Sequence, residues 1–501
     1  MKTHIACFFA FFSLRLMAAD QPNIVVILAD DLGYGDVSCY NPTKGKINTP
    51  HMDRLAAQGM RFTDAHSSSS VCSPSRYTLL TGRYHWRSSL QTGIVDLWGA
   101  PLIAPDRINI ASLAKDRGYH TSAIGKWHLG WDWPIEKNDR SLFEFRKNEA
   151  PEATPQHLAA WKKTFSQKIA GGPTTRGFDS YFGTDVPNWP PFCFIENDRT
   201  LGQPSTPLAK KDMGNNRASR MGPALPDWSL EAILPALSQR ACETIKTQAA
   251  KESPYLLYLA LTTPHTPLAV NTAWRGKSGL DNDCADLILE TDAAIGQVLD
   301  AIEQSGEAAN TLVLFTSDNG FAPYAGAKQL EAKGHYPSGP LRGYKFDVWE
   351  GGHRLPFIIR WPSVIKPGSV CHQLVHHADL LATLAEIWQS PLPANAGEDS
   401  HSLLPILRGK DQSVRETAIS CSANGIPGLR VGSWKFIPAP EPQLYDLAAD
   451  LAESTNRAKE MPERVKEMRQ TLETLITQGR STPGPRQKND VTVRRHGKPS
   501  P

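Results

Sequence analysis

Apolar runs bounded by turn residues recur along this chain, separated by segments of helical periodicity. The run Ile24–Ala29 shows no alternation of polar and apolar positions, as expected of a strand covered on both faces. Thr49-Pro50 then opens a helix that Gly59 closes, with proline at the first position and glycine just past the end. His120–Gly125, Tyr255–Leu261 and Thr311–Thr316 repeat the strand pattern, and Asp286–Ser305 carries a helical period ahead of the last. The order predicts an α/β fold with a mostly parallel sheet between helices.

The four strand candidates share one feature. Asp30 and Asp31 follow the first, Lys126 and His128 the second, His265 the third, Asp318 and Asn319 the fourth. Open parallel sheets hold ligands beyond the carboxyl ends of their strands, so these side chains are expected to converge on one edge. Residues 140–250, rich in Trp, Pro and Asn, read as a long decorated region that shapes a pocket wall, Trp189–Phe192 being its most loop-like piece. Beyond Gly409 the texture changes. Strand candidates Glu416–Cys421 and Leu429–Ile437 precede an amphipathic helix over Pro462–Thr477, a smaller α+β unit.

The 501 residues exceed one small core, and 40% hydrophobic with 21% charged residues describe an ordinary globular chain. The net charge of +3 is unevenly placed: from Arg480 onward six Lys/Arg stand against Asp490 alone. No nucleic-acid footprint runs through the body, and the end reads as a solvated basic extension. Lys2, the apolar stretch Ile5–Leu14 and the small residues Ala18-Ala19 have the grammar of an export signal, with Arg15 as an interruption. No later run has the length of a membrane span, so a periplasmic or secreted location is expected. The division is therefore a signal peptide over 1–19, a catalytic α/β domain over 20–409, an α+β subdomain over 410–480 and a disordered basic tail over 481–501. Eight cysteines are scattered without a CxxC pair or zinc-like spacing; disulfides and buried free thiols both remain open for them.

The sharpest motif is Cys72-Ser73-Pro74-Ser75-Arg76, continued by Tyr77–Arg83. Ala29–Asp36, Gly125–Gly130, Pro264–Pro267, Ser317–Gly320, Leu341–Lys345, Trp349–Gly352 and Leu444–Leu447 accompany it. Together these blocks, spread from residue 22 to about 460, resemble the type I, formylglycine-dependent sulfatases of the alkaline phosphatase superfamily. Their flavour is nearest to arylsulfatases and galactose or N-acetylgalactosamine 6-sulfatases. The resemblance implies an alkaline-phosphatase-like core and hydrolysis of a sulfate monoester to an alcohol and inorganic sulfate. In that family Cys-x-Pro-x-Arg directs a formylglycine-generating enzyme to oxidise the cysteine to an aldehyde, here at Cys72.

Such a residue suits the reaction. A serine nucleophile attacking sulfur would be left as a sulfate ester that is hard to clear. A hydrated aldehyde has two hydroxyls: one accepts the sulfuryl group and the other, deprotonated, collapses and expels sulfate. Cys72 also stands before a helix candidate whose N-terminus favours an anion. Asp30, Asp31, Asp318 and Asn319 offer only oxygen ligands, suited to a hard cation. The resemblance assigns them to one divalent ion beside an oxygen of the modified Cys72, and favours Ca2+, with Mg2+ not separable by sequence. It further implies that Arg76 and Lys126 hold the hydrate and that Lys126 and Lys345 meet sulfate oxygens. His128 would be the base for collapse, His265 would serve the departing alcohol, and Asp318 would manage the nucleophile's proton. Taken singly, each has a bland reading as a helix cap, surface charge or structural histidine; agreement across the blocks favours the functional one.

A sulfated sugar is the expected substrate, with Trp98, Trp131, Trp189 and Phe192 as stacking faces or, equally, as core residues. One departure stands out: the family often has a polar residue shortly after the glycine turn, where this chain has Pro187 and Asn188. His353 has no assignment beyond a structural one. A phosphate or phosphonate monoester hydrolase on the same fold is the alternative enzyme, and a silent binder of sulfated glycans the non-enzymatic one. The complete set of reactive residues argues against the binder.

Overall fold

The computed structural model describes residues 21–145, 152–214 and 218–495; the expected signal segment lies outside them. Its centre is a ten-stranded sheet of β1 (Asn23–Asp30), β2 (Met60–Phe62), β3 (His120–Gly125), β4 (Ser180–Gly183), β5 (Ile195–Glu196), β6 (Arg199–Thr200), β7 (Tyr255–Pro264), β8 (Thr311–Ser317), β9 (Phe357–Arg360) and β10 (Ser369–Cys371). The spatial order is β10-β2-β9-β8-β1-β7-β3-β4-β5-β6. The middle strands β8, β1, β7, β3 and β4 run parallel, and β9, β5 and β6 bring the antiparallel pairings. The four strands whose ends carry the reactive residues are thus consecutive neighbours.

The unbroken apolar run of β1 follows from burial on both faces. Ile24, Val26 and Leu28 enter a core with α2 (Cys72–Thr81) and α5 (Asp379–Ile387). Val25, Ile27 and Ala29 enter another with α1 (Pro50–Gln58), α3 (Ile233–Ala249) and α4 (Asp283–Gln304). All six are fully buried, and each larger one contributes about 1.5–3 kcal/mol of burial. The helix α3 sits inside what the sequence presents as a decorated stretch; its period is diluted by polar Gln239, Glu243 and Lys246 on the outer side.

The C-terminal unit is an antiparallel sheet of β11 (Thr417–Cys421), β12 (Pro427–Val431), β13 (Trp434–Ile437) and β14 (Gln443–Asp446), packed with α6 (Pro462–Gln478). The stretch Leu429–Ile437, expected as one strand, is a hairpin. Gly432 at φ 56° leads a two-residue turn that pairs Val431 with Trp434. This unit supports the main domain: the Cys421 carbonyl accepts from the Ser70 amide, and the Cys421 amide donates to the Ser68 carbonyl, both at 2.9 Å. The backbone leading into Cys72 is therefore held by β11.

Residues 481–495 depart from the disordered tail expected there. Asp490 pairs with buried Arg83 at 2.9 Å, its amide donates to the Arg87 carbonyl, and Val493 is buried. Composition pointed to a solvated end, but buried Arg83 and Arg87 need partners, and this segment supplies several. The cysteines of the described residues, seven in all, are free thiols.

Candidate active site

Strand ends bring the predicted residues together. Gly125 ends β3 at φ 109°, and a Cβ there would lie 1.8 Å from the Ala260 carbonyl oxygen, so only glycine lets the chain turn toward Lys126. Asp31 and His128 occupy the left-handed region at φ 67° and 51°, unfavourable for non-glycine residues and common where strain serves a site. Neighbouring carboxylates hold each of them. The Asp31 amide donates to Asp318 Oδ1 at 3.2 Å, and the His128 amide to Asp185 Oδ1 at 3.1 Å.

Cys72 is the first residue of α2 and is buried. Its Sγ lies 3.7 Å from Asp30 Oδ1 and 3.8 Å from Lys345 Nζ. One helical turn on, Arg76 donates to Asp318 Oδ2 from Nε at 3.1 Å and from Nη2 at 2.8 Å, and to the Lys126 carbonyl at 3.1 Å. Lys126 Nζ meets Asp30 Oδ2 at 2.6 Å; Lys345 Nζ meets both Asp31 oxygens at 2.6 and 2.8 Å. His265 Nε2 stands 3.7 Å from Asp31 Oδ2. Asn319 Nδ2 donates to Asp31 Oδ1 at 2.7 Å, while its Oδ1 is buried without a partner.

Three buried carboxylates (Asp30, Asp31, Asp318) thus face three buried cations (Arg76, Lys126, Lys345). Burial pushes the Asp30 carboxyl up, but Lys126, His265 and Arg76 outweigh it and hold it at about 2; Asp31 is likewise lowered, with Lys345 as the main counterweight to burial. Burial raises the Cys72 thiol to about 12, with Lys126 and Lys345 pulling the other way. Burial keeps His265 and His128 below the ordinary histidine value, neutral at pH 7. Their partners fix the tautomers. His265 Nδ1 faces the Thr266 carbonyl and therefore carries its proton, leaving Nε2 with a lone pair toward Asp31. His128 Nε2 donates to the Val95 carbonyl at 3.1 Å, so the lone pair is on Nδ1, which is buried and without a partner.

The donors suit a hard divalent cation. Asp30, Asp31, Asp318 and Asn319 are oxygen donors, and the orphaned Asn319 Oδ1 is the kind of buried acceptor that a cation satisfies. Ligand atoms of Asp30, Asp31, Cys72 and His265 all lie within 4.8 Å of one another. Asp318 joins this group through the Asp31 amide and Arg76. A second cluster, His66, Glu350 and His353, lies where the subdomains meet. There Lys435 Nζ already serves as the cation, 3.0 Å from Glu350 and 2.9 Å from Glu453, so His353 belongs to a buried structural network.

Asp185 carries no role in the sequence motifs. Its carboxyl, raised to about 6 by burial, reaches under the loop bearing Lys126 and His128. Asp185→Ala is expected to lower kcat/KM about 10²-fold by loosening that loop. Asp185→Asn, which keeps an acceptor oxygen, should retain most of the activity, and equal losses in the two variants would contradict this role. The four aromatic residues offered for stacking are otherwise employed: Trp98, Trp131, Trp189 and Phe192 are all buried, with Trp189 edge-on to the His128 ring at 5.5 Å.

Comparison with known proteins agrees with this architecture. The sulfatase family model matches residues 22–390. An N-acetylgalactosamine-6-O-sulfatase of Bacteroides thetaiotaomicron is 34% identical, with 92% of this chain and 94% of the relative covered. Human arylsulfatase A is 32% identical over 88% of this chain and 84% of its own. A solved 6S-sulf structure, from a core genetic locus for metabolism of multiple glycosaminoglycans in Bacteroides thetaiotaomicron, superimposes with a TM-score of 0.77. It is 31% identical and covers 91% of this chain and 99% of its own. With the family match spanning most of the chain and the matched blocks gathered at one sheet edge, this chain belongs to the sulfatase family and is a sulfuric ester hydrolase.

Proposed function

We propose that the substrate is a sulfated carbohydrate and that the reaction uses a formylglycine made from Cys72 by a formylglycine-generating enzyme. The observation that carries this reading is the seat of Cys72: first residue of a helix, Sγ between Asp30 and Lys345, with Arg76 one turn below. An aldehyde hydrate at that position supplies one hydroxyl to attack sulfur and a second to expel sulfate. Asp30, Asp31, Asp318 and Asn319 hold a divalent cation, calcium by family resemblance, which adds positive charge to an otherwise balanced site and so favours an anionic ester.

The chain's own groups do the rest. Arg76 and Lys126 orient the residue at 72, and Lys126 and Lys345 turn their ammonium groups toward the sulfate oxygens, fixed cations aimed at developing charge. His128 Nδ1, the free lone pair, takes the proton when the residue at 72 returns to the aldehyde. His265 Nε2 stands on the leaving-group side and serves the departing alcohol oxygen. Asp318 handles the proton of the attacking hydroxyl. Among the described residues no helix is long and apolar enough to cross a membrane, and the amino-terminal segment supports export to the periplasm or beyond.

The test compares matched sulfate and phosphate esters of one phenol, and a panel of monosulfated sugars, on protein matured beside the activating enzyme. The sulfate ester should be turned over faster by about 10²-fold or more, and chelation should remove the activity. Preference for the phosphate ester, or full activity in chelator, would contradict the proposal.

A further inference from the structure

Beside the catalytic residues lies a cavity of about 670 Å³, within the range of small-molecule sites. It opens from the leaving-group side: Thr266 and Pro267, which line it, directly follow His265, and Phe346, which also lines it, directly follows Lys345. Two aromatic rings stand at this mouth. Tyr324 and Phe346 are 44% and 43% exposed, unlike the buried tryptophans, and their ring centroids are 6.2 Å apart. Lys345 Nζ lies 5.9 Å from one centroid and 5.7 Å from the other, and the Tyr324 hydroxyl is 3.5 Å from that nitrogen.

The exposure of Phe346 is built in. Its φ of 84° is unfavourable for a phenylalanine, yet two backbone bonds fix it there: its amide donates to the Ser70 carbonyl, and its carbonyl accepts from the Ala423 amide, both at 3.0 Å. The conformation turns an apolar ring outward next to Lys345. Asp212 and Asp283, both exposed, also line the cavity.

We infer that Tyr324 and Phe346 hold the ring of a sulfated sugar while Lys345 meets its sulfate, with Asp212 and Asp283 accepting the ring hydroxyls. This deepens the sulfated-carbohydrate reading and rests on it. The C–H face of a pyranose is apolar and weakly positive, complementary to the negative face of an aromatic ring. Its hydroxyls satisfy the carboxylates. A steroid or a plain aryl group offers those carboxylates no hydroxyl donors in place of water, so it gains nothing from them.

Steady-state kinetics on the full, matured chain test this, with monosulfated hexoses and N-acetylhexosamines, a steroid sulfate, and inorganic sulfate as a competitive inhibitor. The wild type should favour at least one sugar over the steroid sulfate by about tenfold or more in kcat/KM. Phe346→Ala and Tyr324→Ala should raise the KM for that sugar about tenfold. For Phe346→Ala the inhibition constant of inorganic sulfate should stay within about twofold, because sulfate alone does not reach the rings. Phe346→Tyr should restore KM. Preference for the steroid sulfate, unchanged KM in both alanine variants, or a parallel rise of KM and the sulfate inhibition constant in Phe346→Ala would each overturn the aromatic grip while leaving sulfatase activity standing. A wild type that releases sulfate from steroid or aryl esters but from no sugar would overturn the carbohydrate reading and this inference together.

Discussion

Cys72→Ser is expected to stop after a single sulfuryl transfer. Its hydroxyl would occupy the place between Asp30 and Lys345 where Cys72 Sγ now lies, and Arg76 and Lys126 would remain to orient it. Attack at sulfur therefore stays open. Release does not, because a serine has no second hydroxyl through which to collapse, and water must then attack a sulfate ester in a site built for another route. Steady-state kcat should fall by about 10³-fold or more, with up to one equivalent of alcohol released and a sulfated peptide retained. The unconverted cysteine is no substitute nucleophile: buried, with its thiol raised to about 12, it is protonated at neutral pH. Normal turnover by the serine variant would rule out a step that needs two oxygens on one carbon.

Asp318→Ala is expected to remove metal and activity together and to weaken the fold. Asp318 follows β8 and is completely buried. It bonds the Asp31 amide on one side and takes two bonds from Arg76 on the other. Without it, Arg76 keeps only Asp30, at 3.5 Å, as a charge partner, and the constraint on Asp31 at its left-handed φ is lost. Removing one member of such a buried pair costs about 3–5 kcal/mol. Melting temperature, metal content by elemental analysis and kcat/KM should all drop. Asp318→Asn separates the effects, since it keeps an acceptor for the Asp31 amide and loses only the charge. That variant should melt closer to the wild type yet still bind metal less tightly. Full metal content in both variants would remove Asp318 from the ligand set.

How much of this was legible in the sequence depends on how local each signal is. The strands were readable because IVVILA and its counterparts are buried on both faces, leaving no polar position to blur them. Their adjacency was readable only as a general property of open parallel sheets, and the observed order β8-β1-β7-β3 gives it substance. The helix α3 was hidden by exposed polar positions, and the hairpin at Gly432 by a continuous run of strand-like residues on either side of a two-residue turn. The end of the chain was misjudged because its composition describes the segment alone, whereas its order comes from buried Arg83 and Arg87 about four hundred residues earlier.

The site divides in the same way. Cys72, Arg76, Lys126, His265, Asp318 and Lys345 stand in recognisable blocks, and the structure gathers them around Asp30 and Asp31. Asp185 has no motif: its part becomes visible only when the His128 amide is seen to donate to it. Aromatic residues were the hardest to read. For Trp98, Trp131, Trp189 and Phe192 the sequence leaves sugar stacking and core packing equally open, and the structure takes all four into hydrophobic cores. Of the exposed pair Tyr324 and Phe346, Phe346 owes its position to backbone bonds with Ser70 and Ala423, which no reading of neighbouring residues anticipates.

The central claim is a chemical change at residue 72. Trypsin should release the peptide Phe62–Arg76 from protein made together with a formylglycine-generating enzyme. Mass spectrometry of that peptide should find an aldehyde in place of the thiol, trappable by a hydrazine reagent, in a fraction that scales with sulfatase activity. An intact thiol at position 72 in fully active enzyme would contradict the account.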